Sequence, residues 1–404
     1  MNRPPLEVAD LIHAAGQKFI ERSRPWLSGQ HRKVLAAIER CRTAALGGHL
    51  DECSRCGHRV ISYNSCRDRH CPKCQANARH RWIEARRQEL LPTRYVHVIF
   101  TLPHRLAPLA LQNKKVIYDL LFRTCAETLL EVAQSPKRLA AEIGFFCVLH
   151  TWNQKLEHHP HVHCVVPAGG LSPDHQRWIQ PRYRFFLPVK VLRQVFRGKF
   201  IAALRRAFAN GQLCFYGDLK PLAEARAFAS SLRPLLRQEW VVYCKPPFGG
   251  PEYVLHYLGA YTHRVAISNH RLVSLLGDQV TFRWRDSAHA NQQRLLTLSV
   301  EEFLRRFLLH VLPRGFVRIR HFGFLAHRCR ARLLPLCFRL LESTTGSTLP
   351  QPPTPGNAEV PSPTSVSTSP WTCPQCGGPM IILQRLTAAQ IVLRSPPLPV
   401  ARAS

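Results

Sequence analysis

The spacing of apolar and polar positions changes several times along the chain, and each period predicts a type of element. Residues 95–102 (YVHVIFTL) alternate and are rich in β-branched and aromatic side chains, which predicts a strand. Two more strands are predicted at 145–151 and 162–167, on either side of a polar turn. Apolar residues that recur every three or four positions predict helices, which fall within residues 1–45, 114–142, 189–238 and 299–312.

The later part of the chain adds a helix, a hairpin and a linker. The segment 249–252 (GGPE) signals a helix start, because proline is favoured in the first helical turn, and the helix should run to about His263. Residues 265–275 and 279–286 predict two strands around a short turn. Residues 343–370 have almost no large apolar side chains, which predicts a disordered linker.

Net charge gives the first indication of function. The 404 residues include 56 Lys and Arg against 25 Asp and Glu, a formal charge of +31. A polyanion is the usual partner of so basic a protein, so nucleic-acid binding is expected. No run approaches the roughly 20 apolar residues that a membrane span needs, and the first residues lack the basic-then-apolar order of a secretion signal. These features predict a cytoplasmic protein with no membrane partner.

Cysteine pairs in the N-terminal region indicate a metal site. Cys53-x-x-Cys56 and Cys71-x-x-Cys74 each present two thiolates from one tight turn, and 14 residues separate the pairs. Two such turns can complete a tetrahedral Zn²⁺ site, and a closed shell of four thiolates predicts a structural role. Three neighbours could compete as ligands or belong to a second site, namely Cys66, His58 and His70.

Another cysteine pair lies near the C-terminus. Cys373-Pro-Gln-Cys376-Gly-Gly has the form of a zinc knuckle, but no further pair follows it. Cys329, Cys337 or a second subunit could complete a second zinc site there. The alternative is a degenerate remnant of such a site.

The segment 150–170 (HTWNQKLEHHPHVHCVVPAGG) is the most informative in the chain. His161 and His163 are two residues apart on a predicted strand, so both imidazoles face the same side. They can bind a divalent cation and leave positions for a third ligand, water and substrate oxygens. His150 is the first candidate for the third ligand and Glu157 the second. The alternative is a histidine-rich turn that binds no metal.

Tyrosines on the predicted helix 251–263 add a candidate nucleophile. Tyr257 and Tyr261 lie four residues apart, so their hydroxyls share a face, and Tyr253 extends the row by a turn. A tyrosine phenolate can attack a DNA phosphodiester and remain as a covalent phosphotyrosine. A bound cation would polarise the phosphate and hold it in line. The alternative is aromatic packing at helical spacing.

The order of these features, a His-x-His strand, a basic helical stretch and a Tyr-x-x-x-Tyr helix, resembles the HUH endonuclease superfamily. More closely, residues from about 30 to 340 resemble the rolling-circle insertion-sequence transposases with two catalytic tyrosines. The segments that carry this resemblance are GGHLDEC, YNSCRDRHCPKCQ, HTWNQKL, HHPHVHCVVPAGG, YLGAYTHRVAISNHRL, VTFRWRD and EFLRRFLLHVLPRGFVRIRHFG.

The resemblance implies a fold and a division into domains. The fold would be α+β, with an HUH endonuclease-type antiparallel sheet flanked by helices and a helical, zinc-ribbon domain before it. The domains would be an N-terminal helical and zinc-binding domain (1–92), a two-tyrosine nuclease domain (93–342), the linker (343–370) and a C-terminal tail with the zinc knuckle (371–404).

The resemblance also implies roles for the candidate residues. Tyr257 and Tyr261 would be the nucleophiles and His161 and His163 the ligands of a catalytic Mg²⁺ or Mn²⁺. The cysteines expected to bind structural Zn²⁺ are Cys53, Cys56, Cys71 and Cys74.

The implied activity is transposition. The protein would nick and rejoin single-stranded DNA at element ends and at target DNA through a 5′-phosphotyrosine. It would work in the bacterial cytoplasm, associated with the nucleoid, and could form a homo-oligomer. One alternative is a plasmid replication initiator or relaxase with the same chemistry, against which the zinc segment argues. The other is a non-catalytic zinc-ribbon DNA-binding regulator, which metal-dependent nicking would exclude.

Overall fold

A computed structural model describes residues 4–74, 82–181, 186–244, 266–286, 289–345 and 372–394. The chain forms two compact units, one of residues 1–76 with 351–404 and the other of residues 77–350. The C-terminal tail, which the sequence suggested as a separate domain, therefore belongs to the same unit as the N-terminal region. The predicted linker lies outside the described residues from 346 onward, and so does the predicted tyrosine helix, residues 251–263.

The described elements are as follows in chain order. The strands are β1 (Gly48–Cys53), β2 (Arg59–Tyr63), β3 (Tyr95–Thr101), β4 (Gly144–Trp152), β5 (His158–Pro167), β6 (Gly170–Leu171), β7 (Trp178–Ile179), β8 (Val242–Cys244), β9 (Leu272–Leu276), β10 (Gln279–Asp286), β11 (Gln292–Ser299), β12 (Ile319–Gly323) and β13 (Met380–Leu386). The helices are α1 (Val8–Arg22), α2 (Gly29–Arg40), α3 (Ala107–Gln112), α4 (Lys114–Gln134), α5 (Val189–Ala209), α6 (Ala225–Arg237), α7 (Val300–Leu309), α8 (His327–Thr345) and α9 (Ala388–Arg394). None of these helices has the length and apolarity that crossing a bilayer requires.

The first unit combines a helical pair with a small sheet. Leu11 and Phe19 of α1 and Leu35 and Ile38 of α2 are buried at helical spacing, so each helix presents one apolar stripe. Helix α2 begins at Ser28, whose hydroxyl accepts a hydrogen bond from a backbone N–H of the first turn. The sheet has the order β13-β1-β2 and both pairings are antiparallel, so the C-terminal strand lies beside the first strand of the chain.

The second unit is built on a five-stranded antiparallel sheet with the order β12-β4-β5-β3-β8. One face of this sheet packs against helices and forms the main core. Phe100 and Val162 on that face belong to one buried cluster with Tyr118 and Phe122 of α4 and Phe196 of α5. The helix-flanked antiparallel sheet and the unit of helices and a small sheet that precedes it confirm the predicted α+β fold class.

A second sheet of three strands, with the order β11-β10-β9, continues directly into helix α7. Ser299 ends β11 and caps α7, because its hydroxyl accepts a hydrogen bond from the N–H of Glu302. The other end of α7 is held by Lys114, whose ammonium donates to the carbonyls of Leu309 and Val311 at 2.8 and 3.1 Å. Burial lowers the pKa of Lys114 to about 8.

Most elements predicted from periodicity are present; the strands predicted at 145–151 and 162–167 are longer than predicted, and several other elements are shorter. The helix expected over 114–142 ends at Gln134, and the one expected over 189–238 is two helices separated by a 3₁₀ segment, Gly217–Ala223. Strand β9 begins only at Leu272, after a 3₁₀ turn at Asn269–Arg271. The sequence pattern did not predict β11, β12, β13 or α8.

Candidate metal sites

Three histidines meet on the face of the central sheet that is opposite the main core. His161 and His163 project from β5 on the same side, and His150 of β4 is paired directly with His161. One ring nitrogen from each of the three lies within 4.8 Å of the other two. We call these residues the histidine cluster. Among the described residues, no Asp or Glu joins it.

A polar contact at Nδ1 orients the ring of two of these histidines. His97 of β3 places Nε2 2.8 Å from Nδ1 of His163. Nδ1 of His161 lies 2.7 Å from the carbonyl oxygen of His159, to which it can donate. In His161 and His163, Nε2 is then the nitrogen through which a metal would be bound. Histidines that bind metal commonly have such a partner, which fixes the tautomer and the orientation of the ring.

Burial limits the approach to the cluster. His150 and His163 are buried, at 3 % and 5 % exposure, whereas His161 is only partly covered. The ring of His150 is stacked on Trp152, with the centroids 4.7 Å apart and the planes 19° from parallel. An ion or a substrate that reaches the histidine cluster would therefore approach from the side of His161.

The turn between β4 and β5 explains why Glu157 does not join the cluster. The carboxylate of Glu157 accepts a hydrogen bond from the side-chain amide of Asn153 at 2.7 Å. The Oδ1 atom of Asn153 in turn accepts hydrogen bonds from the backbone N–H groups of Lys155 and Glu157. The turn therefore holds Glu157 by local bonds. His150, the first candidate for a third ligand, is brought to the histidine pair, and Glu157, the second, is not.

The same turn is anchored to the second sheet and to α7. Three successive backbone carbonyls, those of residues 154, 155 and 156, accept hydrogen bonds from Arg271, Arg306 and His310, respectively. Lys155 also lies over the ring of Trp284, at 4.4 Å from its centroid. These contacts fix the hairpin that carries the histidine cluster.

One histidine of the HHPHVH run belongs to the core rather than to the cluster. Nε2 of His158 lies 2.8 Å from the hydroxyl of Tyr118 in α4. Burial lowers the pKa of His158 to about 2, with a smaller contribution from neighbouring cationic groups. A neutral imidazole of this kind stabilises the packing of α4 on β5. Tyr257 and Tyr261, the candidate nucleophiles, lie outside the described residues.

The cysteines form two clusters, and their grouping corrects the prediction. The four residues predicted to share one Zn²⁺ are divided: Cys53 and Cys56 meet the C-terminal pair, whereas Cys71 and Cys74 meet two residues that lie outside any Cys-x-x-Cys motif. Within each cluster the sulfurs lie within 4.8 Å of one another. The first zinc cluster is Cys41, Cys66, Cys71 and Cys74, and the second zinc cluster is Cys53, Cys56, Cys373 and Cys376.

Strand pairing is the physical reason for this division. The β1–β2 hairpin places the Cys53 turn at one end of the sheet and residue 48 at the other, beside residue 63. The chain leaves β2 at Tyr63, so Cys66 and the following pair lie near the end of α2, where Cys41 is the C-cap. Sγ of Cys74 lies 3.4 Å from that of Cys41 and 3.5 Å from that of Cys66.

The first zinc cluster has the donor set of a structural zinc site. Four thiolates and no oxygen or nitrogen ligand make a closed shell. The N–H of Cys66 approaches Sγ of Cys41 at 3.5 Å and the N–H of Asp68 approaches Sγ of Cys66 at 3.5 Å, as suits partly negative sulfur. Cys41 was missed in the sequence because it stands alone at a helix end.

The remaining candidate ligands lie elsewhere. Nδ1 of His70 lies 3.0 Å from the carboxylate of Asp68, and neither His70 nor His58 is in a cysteine cluster. Cys329 and Cys337 are on α8, and neither is in a cysteine cluster; the residues that meet the C-terminal pair are Cys53 and Cys56. In the second zinc cluster, a hydrogen bond from the N–H of Cys56 lowers the pKa of Cys53 to about 6.

Comparisons with known proteins identify both parts of the chain. A family model described as "Putative transposase" matches residues 144–332, and one described as "Transposase zinc-binding domain" matches residues 11–102. The chain is 54 % identical over 352 residues to "Putative transposase y4qJ" of Sinorhizobium fredii (strain NBRC 101917 / NGR234), covering 87 % of each protein. It is 30 % identical over 349 residues to the transposase for insertion sequence element IS801 of Pseudomonas savastanoi pv. phaseolicola, covering 84 % of this chain and 80 % of that protein. Neither family model reaches Cys373 or Cys376.

Proposed function

Because this chain belongs to the rolling-circle IS91 family of insertion-sequence transposases, we propose that it nicks and rejoins single-stranded DNA at element ends through a covalent 5′-phosphotyrosine. The observation that carries this proposal is the histidine cluster, which lies within the segment matched by the transposase model. DNA is the partner of the protein family, and the net charge of +31 suits it.

Within this proposal His150, His161 and His163 hold a divalent cation, Mg²⁺ or Mn²⁺. When bound, such an ion withdraws charge from a phosphate oxygen and orients the phosphate for attack. The chain keeps the three imidazoles in place with the β4–β5 pairing and with the contacts of His97 and of the His159 carbonyl. Three nitrogen donors would leave coordination positions for phosphate oxygens and water.

Tyr257 and Tyr261 supply the nucleophiles in this proposal. The phenolate oxygen of one tyrosine forms a bond to phosphorus, and the bond from phosphorus to the 3′ oxygen breaks. The leaving oxygen takes a proton and becomes a free 3′-hydroxyl, while the 5′ phosphate stays on the tyrosine. A 3′-hydroxyl that attacks this phosphotyrosine reverses the step and rejoins the strand. One phosphodiester-type bond replaces another, so no ATP is needed.

A second tyrosine allows two covalent links at once, one to an element end and one to the target. This favours strand transfer over single cleavage. A replication initiator or relaxase shares the nicking step, but the zinc-binding region and both curated relatives favour transposition. Association with the nucleoid and formation of a homo-oligomer stay predictions.

The direct test is adduct formation. Wild-type protein is incubated with Mn²⁺ and a labelled single-stranded element end, and protein–DNA adducts are counted after denaturation. Tyr257→Phe with Tyr261→Phe should abolish adducts and leave DNA binding within about twofold, because only two hydroxyls are lost. Tyr253→Phe, one turn earlier in the predicted row, is the matched control and should form adducts at the wild-type level. Adducts that persist in the double variant would refute the nucleophile assignment.

A further inference from the structure

The two turns of the second zinc cluster have the same backbone geometry. The N–H of Gly57 donates to the carbonyl of Cys53 at 3.0 Å, and the N–H of Gly377 donates to that of Cys373 at 2.9 Å. Both glycines have a positive φ, 70° and 69°, which L side chains rarely adopt. Each turn therefore presents its two cysteines in the same way, and the turns are two equivalent halves of one site.

A backbone N–H group contacts the sulfur of the first cysteine in each half. The N–H of Arg55 lies 3.4 Å from Sγ of Cys53, and the N–H of Gln375 lies 3.4 Å from Sγ of Cys373. Such contacts stabilise a thiolate, which is the form that binds metal. The equivalence of the halves thus extends to the ligand atoms.

The distances between the halves suit a tetrahedral ion. Sγ of Cys53 lies 3.4 Å from Sγ of Cys376, and Sγ of Cys56 lies 3.7 Å from Sγ of Cys373. Thiolates at 2.3 Å from a tetrahedral Zn²⁺ would be about 3.8 Å apart. The four sulfurs therefore already lie close to the arrangement that zinc imposes.

Strand pairing and burial hold the halves together. In the β1–β13 ladder Cys53 is opposite Met380, which packs against both buried cysteines, Cys53 and Cys373. Gly378 lies so close that a methyl group there would be 3.1 Å from Sγ of Cys53. Cys53 and Cys373 thus form the buried side of the site, whereas Cys56 is exposed and Cys376 is partly covered.

We propose that Cys53, Cys56, Cys373 and Cys376 bind a second structural Zn²⁺, which fastens the C-terminal segment 372–394 to the N-terminal region. This ion is additional to the one held by the first zinc cluster. It lies partly beyond the residues that the zinc-binding family model matches. The protein therefore carries two structural zinc ions, and its last strand is a component of the zinc-binding unit. The inference is independent of the nicking chemistry.

Zinc stoichiometry tests the proposal. Full-length protein, purified without added metal or chelator, should contain two equivalents of zinc by elemental analysis. Cys373→Ser with Cys376→Ser should contain one, and so should Cys66→Ser with Cys71→Ser, because each pair belongs to a different cluster. Cys214→Ser changes an exposed cysteine outside both clusters and is the matched control. It should keep two equivalents.

Three results would overturn the proposal. One is a single zinc in the wild-type protein, and another is two zincs in Cys373→Ser with Cys376→Ser. The third is that these four thiols are joined as disulfide bonds in protein that contains no zinc, since small movements would bring sulfurs 3.4 and 3.7 Å apart to the disulfide bond length of about 2.05 Å. If a variant fails to fold, cobalt substitution of the wild-type protein decides: two tetrahedral thiolate sites give twice the charge-transfer absorption per chain that one site gives.

A second experiment tests the fastening. A protease recognition sequence is inserted after residue 360 of the full chain, and the purified protein is cut. The C-terminal fragment should remain with the rest of the protein in zinc-containing buffer and separate on gel filtration after chelation. Separation in the presence of zinc, or retention after all zinc has been removed, would show that zinc does not fasten this segment.

Discussion

The imidazoles of His97 and His163 lie parallel, with 5.0 Å between their centroids and 4° between their planes, and a 2.8 Å contact joins Nε2 of His97 to Nδ1 of His163. The two residues are on neighbouring strands, β3 and β5, and His97 is buried at 1 % exposure. His97 thus positions a proposed metal ligand without belonging to the histidine cluster itself.

His97→Ala should weaken metal binding rather than abolish catalysis. Loss of the contact frees the ring of His163, and loss of such an outer partner commonly lowers metal affinity about 10- to 100-fold. We expect the Mn²⁺ concentration for half-maximal nicking to rise by about tenfold, with little change in rate at saturating Mn²⁺. His97→Gln should recover part of the affinity, because its amide can still contact Nδ1.

His321→Gln is the matched control for this prediction. His321 lies on the same sheet face, on β12 opposite Phe146, and is outside the histidine cluster. The Mn²⁺ concentration for half-maximal nicking by His321→Gln should equal that of the wild-type protein. An unchanged Mn²⁺ titration in His97→Ala, with the fold verified by thermal melting, would show that His97 has no positioning role.

The identity of the three donors predicts a metal preference. Imidazole nitrogen suits transition metals better than Mg²⁺, which prefers oxygen ligands. We therefore expect Mn²⁺ to support nicking at about tenfold lower concentration than Mg²⁺, and EDTA to stop it reversibly. His150→Asp replaces one nitrogen by a carboxylate oxygen. The Mn²⁺ and Mg²⁺ concentrations that support nicking should therefore differ less in this variant than in the wild-type protein. A wild-type protein that is equally active with both ions at every concentration, or active in EDTA, would contradict this assignment.

The first zinc cluster should be a unit of folding. Metal binding at four thiolates contributes on the order of 10 kcal/mol to the stability of a structural site. Cys66→Ser and Cys71→Ser should thus have the same effect: lower zinc content and lower specific DNA binding. Some nicking of short single strands should remain, because the central sheet has a core of its own.

A serine substitution at a cysteine outside both clusters tests whether the loss of zinc and of DNA binding is specific to the first zinc cluster. Cys329→Ser, on α8 and outside both clusters, should leave zinc content and DNA binding unchanged. If Cys66→Ser kept full zinc content, Cys66 would have to be removed from the site. If either zinc variant lost all nicking while it remained folded, the zinc-binding region would take part in catalysis.

The burial of Lys114 predicts that the free energy of unfolding depends on pH. Lys114→Met removes two hydrogen bonds to the end of α7 and should lower the free energy of unfolding by about 2 kcal/mol at pH 8. Burial lowers the folded pKa of Lys114 from 10.5 to about 8. Between these two values the unfolded chain binds more protons than the folded one, so the contribution of Lys114 to stability increases with pH.

Urea denaturation at pH 7.5 and pH 9.5 measures this difference. The gap between wild type and Lys114→Met should be larger at pH 9.5. Lys115→Met changes the exposed neighbour and should shift neither value by more than about 0.5 kcal/mol. A gap that is the same at both pH values would show that the buried ammonium keeps its proton, and a gap that shrinks would show that burial does not lower its pKa.

Local patterns in the sequence were sufficient for the parts of the fold that depend on local order. Alternation identified β3, two apolar segments around a polar turn identified β4 and β5, and a spacing of two placed His161 beside His163. Chain neighbours also identified three Cys-x-x-Cys turns. Which turns face each other depends on strand order, and that is set by contacts between residues more than 300 positions apart. The predicted sharing of one ion by Cys53 and Cys71 was wrong for this reason.

Single residues without a local pattern were missed in the same way. Cys41 is an isolated cysteine at the end of α2, and His97 is one polar residue within an apolar strand. Each acquires its role only when a distant segment folds against it. The strands β11 and β12 were missed because their positions are only partly buried, so their alternation is weak.

The pairing of β1 with β13 has a consequence for synthesis of the protein. The sulfurs of Cys53 and Cys376 are 323 residues apart in the chain. At about 5–20 residues per second, the ribosome adds the second of them roughly 16–65 s after the first. During that interval β1 has one unpaired edge, a form of strand that readily pairs with other chains. Copies that lack β13 should therefore be the ones that aggregate or attract chaperones, and pairing of β13 with β1 should end that exposure.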